Sequence, residues 1–189
     1  MRVTGGRFGG RILKAPASRS IRPSADRLRE ALFNALVHRP GSPLPGADVI
    51  DLFAGTGALG LEALSRGAAS VLFVDNGVEA RALLRANVEA LGVGGTTRIY
   101  RRDATRLGDA PEPHRFRLAF LDPPYKQELA PQALRALRDG AWLTPGALAI
   151  IEESADATVG LPEGFTFDER RVYGDTQIVF ASFTAADLC

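Results

Sequence analysis

The sequence predicts an α/β fold: a seven-stranded, mostly parallel sheet with helices on both faces, closed by an antiparallel hairpin and preceded by a small basic extension. Three observations predict it. From Ala47 onward, short apolar runs alternate with amphipathic segments. The first run leads straight into Gly55-Thr56-Gly57-Ala58-Leu59-Gly60, a glycine-rich turn that opens a helix. Only Val172-Tyr173-Gly174-Asp175-Thr176-Gln177 joins the last two runs, too short for a helical crossover, so the final strand turns back antiparallel.

Charge marks the first element. Residues 1–30 carry a net +6, which leaves −5 for the rest of a chain of formal charge +1. Such a segment is an electrostatic footprint for nucleic acid, with a solvated arm as the plainer alternative. Arg7-Phe8-Gly9-Gly10-Arg11-Ile12-Leu13-Lys14 alternates basic and apolar residues around a glycine turn, which predicts a short hairpin with one positive face. Arg7, Arg11, Lys14, Arg22 and Arg27 are the candidate nucleic-acid contacts. Ser24 is suited to cap a helix whose buried face is Leu28, Ala31, Leu32, Ala35 and Leu36, ending before Pro40-Gly41. The Pro- and Gly-rich residues 39–46 form a linker. The expected division is a basic extension over residues 1–40 and a sheet domain over 41–189.

The alternating part yields strands at 48–52, 70–74, 97–101, 116–121, 147–152, 165–172 and 177–183. Helices are expected at 57–66, 77–91 and 126–139, with a turn of helix near 104–108.

Glycines carry the first candidate site. Gly55 permits a tight turn, Gly57 lets a ligand approach the backbone, and Gly60 allows close helix–strand packing. Asp75 closes the next strand, where a carboxylate grips ribose hydroxyls. That pattern fits a dinucleotide or S-adenosylmethionine. Asp51, just before the loop, favours the second: a carboxylate repels a pyrophosphate and attracts an ammonium or sulfonium. A helix N-terminal partner is its structural alternative.

Asp122-Pro123-Pro124-Tyr125 carries the second site, directly after the apolar run Leu118-Ala119-Phe120-Leu121. Asp122, the Pro123 carbonyl and the Tyr125 ring together suit a flat, amino-bearing base, although Asp and Pro also end strands as plain turns. An exocyclic amine is a poor nucleophile because its lone pair is delocalised into the ring. Hydrogen bonds from its two N–H groups to Asp122 and to the Pro123 carbonyl draw the nitrogen toward tetrahedral geometry. Asp122 can also take the proton.

Composition bounds the remaining possibilities. The chain has 189 residues, 46% of them hydrophobic, enough for one domain with an appendage. No run approaches membrane-spanning length and no signal peptide is evident. One cysteine, Cys189, and two distant histidines, His38 and His114, predict no metal site. A cytoplasmic monomer is expected.

The block Arg22-Pro23-Ser24-Ala25-Asp26-Arg27-Leu28-Arg29-Glu30-Ala31-Leu32-Phe33-Asn34, the glycine motif from Asp51 to Ala68, and Asp-Pro-Pro-Tyr resemble, in that order, the RsmD family of bacterial methyltransferases of 16S ribosomal RNA. The resemblance covers nearly the whole chain. It implies the Rossmann-like class I methyltransferase fold and methylation of one guanine N2 within a small-subunit particle or assembly intermediate. It implies S-adenosylmethionine as donor, Asp103 as the partner of the adenine amine, and the Arg22–Arg27 segment folded over the cofactor pocket. For Asp103 a turn-capping role is the alternative. Two other functions compete: an adenine-N6 methyltransferase of DNA or RNA, since the tetrapeptide serves that amine equally well, and a non-catalytic RNA-binding assembly factor.

Overall fold

A computed structural model describes residues 1–16, 23–39, 41–111 and 115–184. The capping side chain of Ser24, and residues Arg22, Pro40, His114 and Cys189, lie outside that description.

Seven strands form one sheet: β1 (Asp48–Leu52), β2 (Ser70–Val74), β3 (Thr97–Tyr100), β4 (Phe116–Leu121), β5 (Leu143–Ser154), β6 (Phe165–Tyr173) and β7 (Thr176–Phe183). Their spatial order is β3-β2-β1-β4-β5-β7-β6. β1 to β5 are parallel, and β7 is antiparallel to both β5 and β6. The chain winds outward from β1 to β3, then restarts on the other side with β4. The switch point is therefore the β1/β4 crevice, where open α/β sheets bind ligands.

Period-two alternation sorts the side chains. Val49, Val71, Phe73, Leu118, Phe120 and Ile150 meet α1 (Pro23–His38), α2 (Ala58–Ser65) and α3 (Val78–Leu91) on one face. Ile50, Leu52, Leu72, Ala119, Leu121 and Ile151 meet α4 (Leu129–Asp139) and Trp142 on the other. Phe33 of α1 packs on Phe120 of β4 with ring centroids 5.5 Å apart. Val3 and Leu13 of the basic arm join the same core as α1 and α2.

Several boundaries differ from expectation. α1 begins at Pro23, whose missing N–H costs nothing in a first helical turn. α4 begins at Leu129, because Lys126 and Glu128 adopt positive φ of 60° and 52°. β5 starts four residues early and takes in Pro145-Gly146 at a register shift opposite β4, where a strand tolerates proline. The expected helix near 104–108 is a turn, closed by the Arg106 N–H on the Asp103 carbonyl at 3.0 Å. In the arm the antiparallel pairing is Arg2 with Ile12, and residues 4–11 make the reversal around a short 3₁₀ turn at Gly6–Phe8. The expected hairpin is thus wider, because Val3 and Leu13, not the glycine turn, carry its buried contacts.

Candidate active site

Register brings the two sequence motifs together. Leu52 pairs with both Val74 and Leu121, and Val74 pairs with Tyr100. The strands therefore end abreast, and Phe53, Asp75 and Asp122 leave one edge of the sheet as neighbours.

The loop after β1 is held by backbone geometry. Phe53 has φ of 59°, Gly55 56° and Gly57 80°. A side chain at Gly57 would come within 2.3 Å of buried Leu84, and one at Gly60 within 2.4 Å of Phe73. At Gly55 it would meet nothing nearer than 3.8 Å. This corrects the sequence reading in one respect: Gly55 is the glycine that leaves open space for a ligand, whereas Gly57 admits Leu84.

Asp75 organises the same loop. Its Oδ2 accepts the Gly55 N–H at 2.8 Å and its Oδ1 the Gly77 N–H at 2.7 Å. Each oxygen keeps a second lone pair for a hydroxyl donor. Asp51 lies underneath, 1% exposed, accepting the Gly60 N–H at 2.9 Å. This is the helix-partner role that the sequence left open. Burial pushes the Asp51 carboxyl up to about 8; the Gly60 bond opposes the shift and the nearby Asp75 charge adds to it. Asp103 accepts the hydroxyl and the N–H of Thr105 at 2.7 and 2.9 Å, which hold its carboxyl below the usual range. That too is a turn-capping role.

Phe53, Val74, Asp75, Asn76, Asp103 and Ala104 nevertheless line one small cavity. Arg102 lines it too, and among these residues the Asp75 and Asp103 carboxylates can accept hydroxyl or amine donors beside the Phe53 ring. Phe53 and Asn76 belong to it although neither carries a motif of its own in the sequence.

The loop after β4 is held by side chains. Asp122 is exposed and Pro123 buried. Tyr125 is 38% exposed, and its hydroxyl donates to Glu152 Oε1 at 2.8 Å and lies 3.2 Å from Thr176 Oγ1. Burial and the Glu152 charge push that phenol above its ordinary range. Burial also raises the Glu152 carboxyl, while Tyr125 and the positive charge of Arg29 draw it back. Glu153, buried on the opposite face, accepts the Lys126 N–H at 3.2 Å.

The basic arm has anchors that sequence reading missed. Fully buried Glu62 accepts from the Thr4 N–H at 2.7 Å, the Gly5 N–H at 2.9 Å, Arg66 Nε at 2.8 Å and Arg29 Nε at 3.4 Å. Buried Asn87 brackets Lys14, accepting its N–H at 2.7 Å and donating to its carbonyl at 3.1 Å, and donates to the Thr56 carbonyl at 2.9 Å. The available signal was a charged residue inside the apolar turns of α2. Arg7, Arg11, Lys14 and Arg27 are exposed; Arg7 lies over the Phe8 ring and Arg11 donates to the Ala90 carbonyl at 2.9 Å. Among the described residues no cluster of three His, Cys, Asp or Glu is placed to hold a metal, and no helix is long and apolar enough to cross a membrane.

Residues 1–182 match the family described as conserved hypothetical protein 95. The ribosomal RNA small subunit methyltransferase D of Escherichia coli is 35% identical over 162 residues, covering 86% of this chain and 78% of that protein. The Haemophilus influenzae protein of the same name is 33% identical, covering 92% and 89%. The solved Escherichia coli protein yhhF superposes with a TM-score of 0.82 at 30% identity, covering 98% of this chain and 99% of that one.

Proposed function

This chain belongs to the conserved hypothetical protein 95 family, the RsmD family, and from that membership we propose that it methylates the exocyclic N2 of a guanine in 16S ribosomal RNA. It is a methyltransferase, and its donor is S-adenosylmethionine. The observation that carries the reading is the Leu52–Leu121 pairing, which sets the glycine loop beside Asp-Pro-Pro-Tyr at the switch point.

When bound, S-adenosylmethionine supplies an electrophilic methyl group. Phe53, Asp75 and Asp103 would hold its adenosine at the cavity they line and Gly55 would give it room beside the backbone, while Asp51, buried beneath, holds the Gly60 N–H and so the shape of the loop. Asp122 and the Pro123 carbonyl each accept one N–H of the guanine amine and free the nitrogen lone pair for in-line attack. Asp122 takes the departing proton, before or after transfer, and passes it to water. Pro123 and Pro124 limit the carbonyl's reorganisation. The half-exposed Tyr125 ring stacks on the base. Most of the acceleration comes from holding two substrates in register.

Arg7, Arg11, Lys14 and Arg27, exposed on the arm and α1, bind RNA phosphates, and Arg22 belongs to the same set. The substrate is a small-subunit particle or an assembly intermediate, met by a monomer in the cytoplasm. The test is to incubate the protein with isotopically labelled donor and small-subunit particles and to map the product by mass spectrometry. Label on a single guanine N2 is expected. Label on an adenine N6, or on no base, refutes the assignment.

A further inference from the structure

Glu152 is a carboxylate in the candidate site that the mechanism above does not use. Leu121 pairs with Ile151, so Glu152 stands level with Asp122 on the neighbouring strand, roughly 5 Å away by strand spacing. It shares the sheet face of Ile150 and pairs across β7 with Ile178, the face that α1 covers. It is half-buried, and its Oε1 receives the Tyr125 hydroxyl.

Anchoring the loop does not require this charge. Thr176 Oγ1 is already within 3.2 Å of the Tyr125 hydroxyl, and Glu153 holds the Lys126 backbone from the other face. Arg29 favours the ionised form of Glu152, while its own guanidinium is fixed by Asp26 at 2.9 Å and Glu62 at 3.4 Å. A half-buried carboxylate one strand away from the group that meets the amine is suited, in its ionised form, to accept a further N–H.

Resting on the guanine reading above, we propose that Glu152 determines base specificity by accepting the N1–H of the target guanine. With the amine on Asp122 and the Pro123 carbonyl, guanine still presents N1–H, and N1 and the amine nitrogen are close enough for carboxylates on adjacent strands. Adenine presents a lone pair at the ring nitrogen beside its amine. Against a carboxylate, which only accepts, that lone pair is repulsive. The tetrapeptide alone serves either amine, so the choice between them comes from β5.

The test uses small-subunit particles rebuilt on RNA carrying guanine or 2-aminopurine at the nucleotide that mass spectrometry finds methylated. 2-Aminopurine keeps the 2-amine and lacks N1–H. The wild-type protein should prefer guanine in kcat/KM by roughly a hundredfold or more. In Glu152→Gln that preference should shrink by about tenfold, because the amide can donate to the bare ring nitrogen while its oxygen still receives the Tyr125 hydroxyl. Tyr125→Phe, which removes the tether and leaves the carboxylate, should slow both substrates and keep the ratio. Equal use of both bases by the wild type, an unchanged ratio in Glu152→Gln, or a ratio that collapses in Tyr125→Phe each overturns the proposal. Absence of methyl at any guanine N2 defeats the underlying guanine reading instead, and mapping reveals that before any ratio is measured.

Discussion

The loops after β1 and β4 leave adjacent strands at the same level, yet opposite means hold them. The β1 loop is fixed by positive-φ residues and by backbone N–H groups on Asp75. The β4 loop is exposed, and carboxylates and a hydroxyl from β5 and β7 hold it through Tyr125 and Lys126. The first suits a cofactor of constant shape. The second, with its anchors on separate strands, can be tuned to a base without disturbing the first. Five substitutions test whether the two loops are separable.

The largest effect should come from Asp122→Ala. Methyl transfer should fall by on the order of 10²–10⁴-fold or more, while donor affinity by calorimetry stays within a few-fold. A matching loss of donor affinity would mean that the loops are not independent.

Gly57→Ala should injure the other loop. Its φ of 80° and the 2.3 Å approach to Leu84 leave a methyl group neither a comfortable backbone nor space. About 1–3 kcal/mol of stability should be lost, read as a melting temperature lowered by a few degrees, together with weakened donor binding.

Tyr125→Phe should slow turnover about tenfold, since it removes a hydrogen bond to a charged group, without changing donor affinity. Tyr125→Ala should cost more, because the stacking face goes as well. Equal losses in the two variants would assign the whole role to the hydroxyl.

The last effect is electrostatic and appears only as a pH dependence. Asp51 is raised in the folded protein from 3.8 to about 8, so the folded state holds a proton that the unfolded state has released between those values. Its contribution is complete below about pH 4 and is lost as pH rises toward 8, with a slope of at most about 1.4 kcal/mol per pH unit. In Asp51→Asn that part of the slope should vanish, as measured by denaturant unfolding at pH 5 and pH 8. A wild-type slope in the variant would move the proton to another group.

The comparison also explains what was legible in the chain. Backbone-held features announce themselves locally. Gly55 and Gly57 mark a positive-φ turn, Gly60 marks a helix packed close against Phe73, and Asp75 follows an apolar run that ends on the sheet edge. Side-chain-held features do not. Glu152 and Glu153 are adjacent carboxylates after the buried run Ala149-Ile150-Ile151, the same signal that singled out Asp122, yet nothing local says that one receives the Tyr125 hydroxyl and the other, on the opposite face, the Lys126 N–H. Gly55 and Gly57 differ for a similar reason: which of two positive-φ glycines has open space beside it depends on where Leu84 of α3 lands. α4 started late because Lys126 and Glu128 are turned by contacts that helix propensity does not include.

Alternation, glycine placement and the short last connection were sufficient for the sheet, its antiparallel closure and the two motif-bearing loops, since each follows from periodicity or from a conformation that few residues can adopt. Apart from Arg66, one helical turn from Glu62, the partners of Glu62, Asn87 and Tyr125 were not legible, because they lie 27 to 73 residues away in the chain. A hydrogen bond across that distance exists only once packing has brought two strands, or an arm and a helix, within 3 Å.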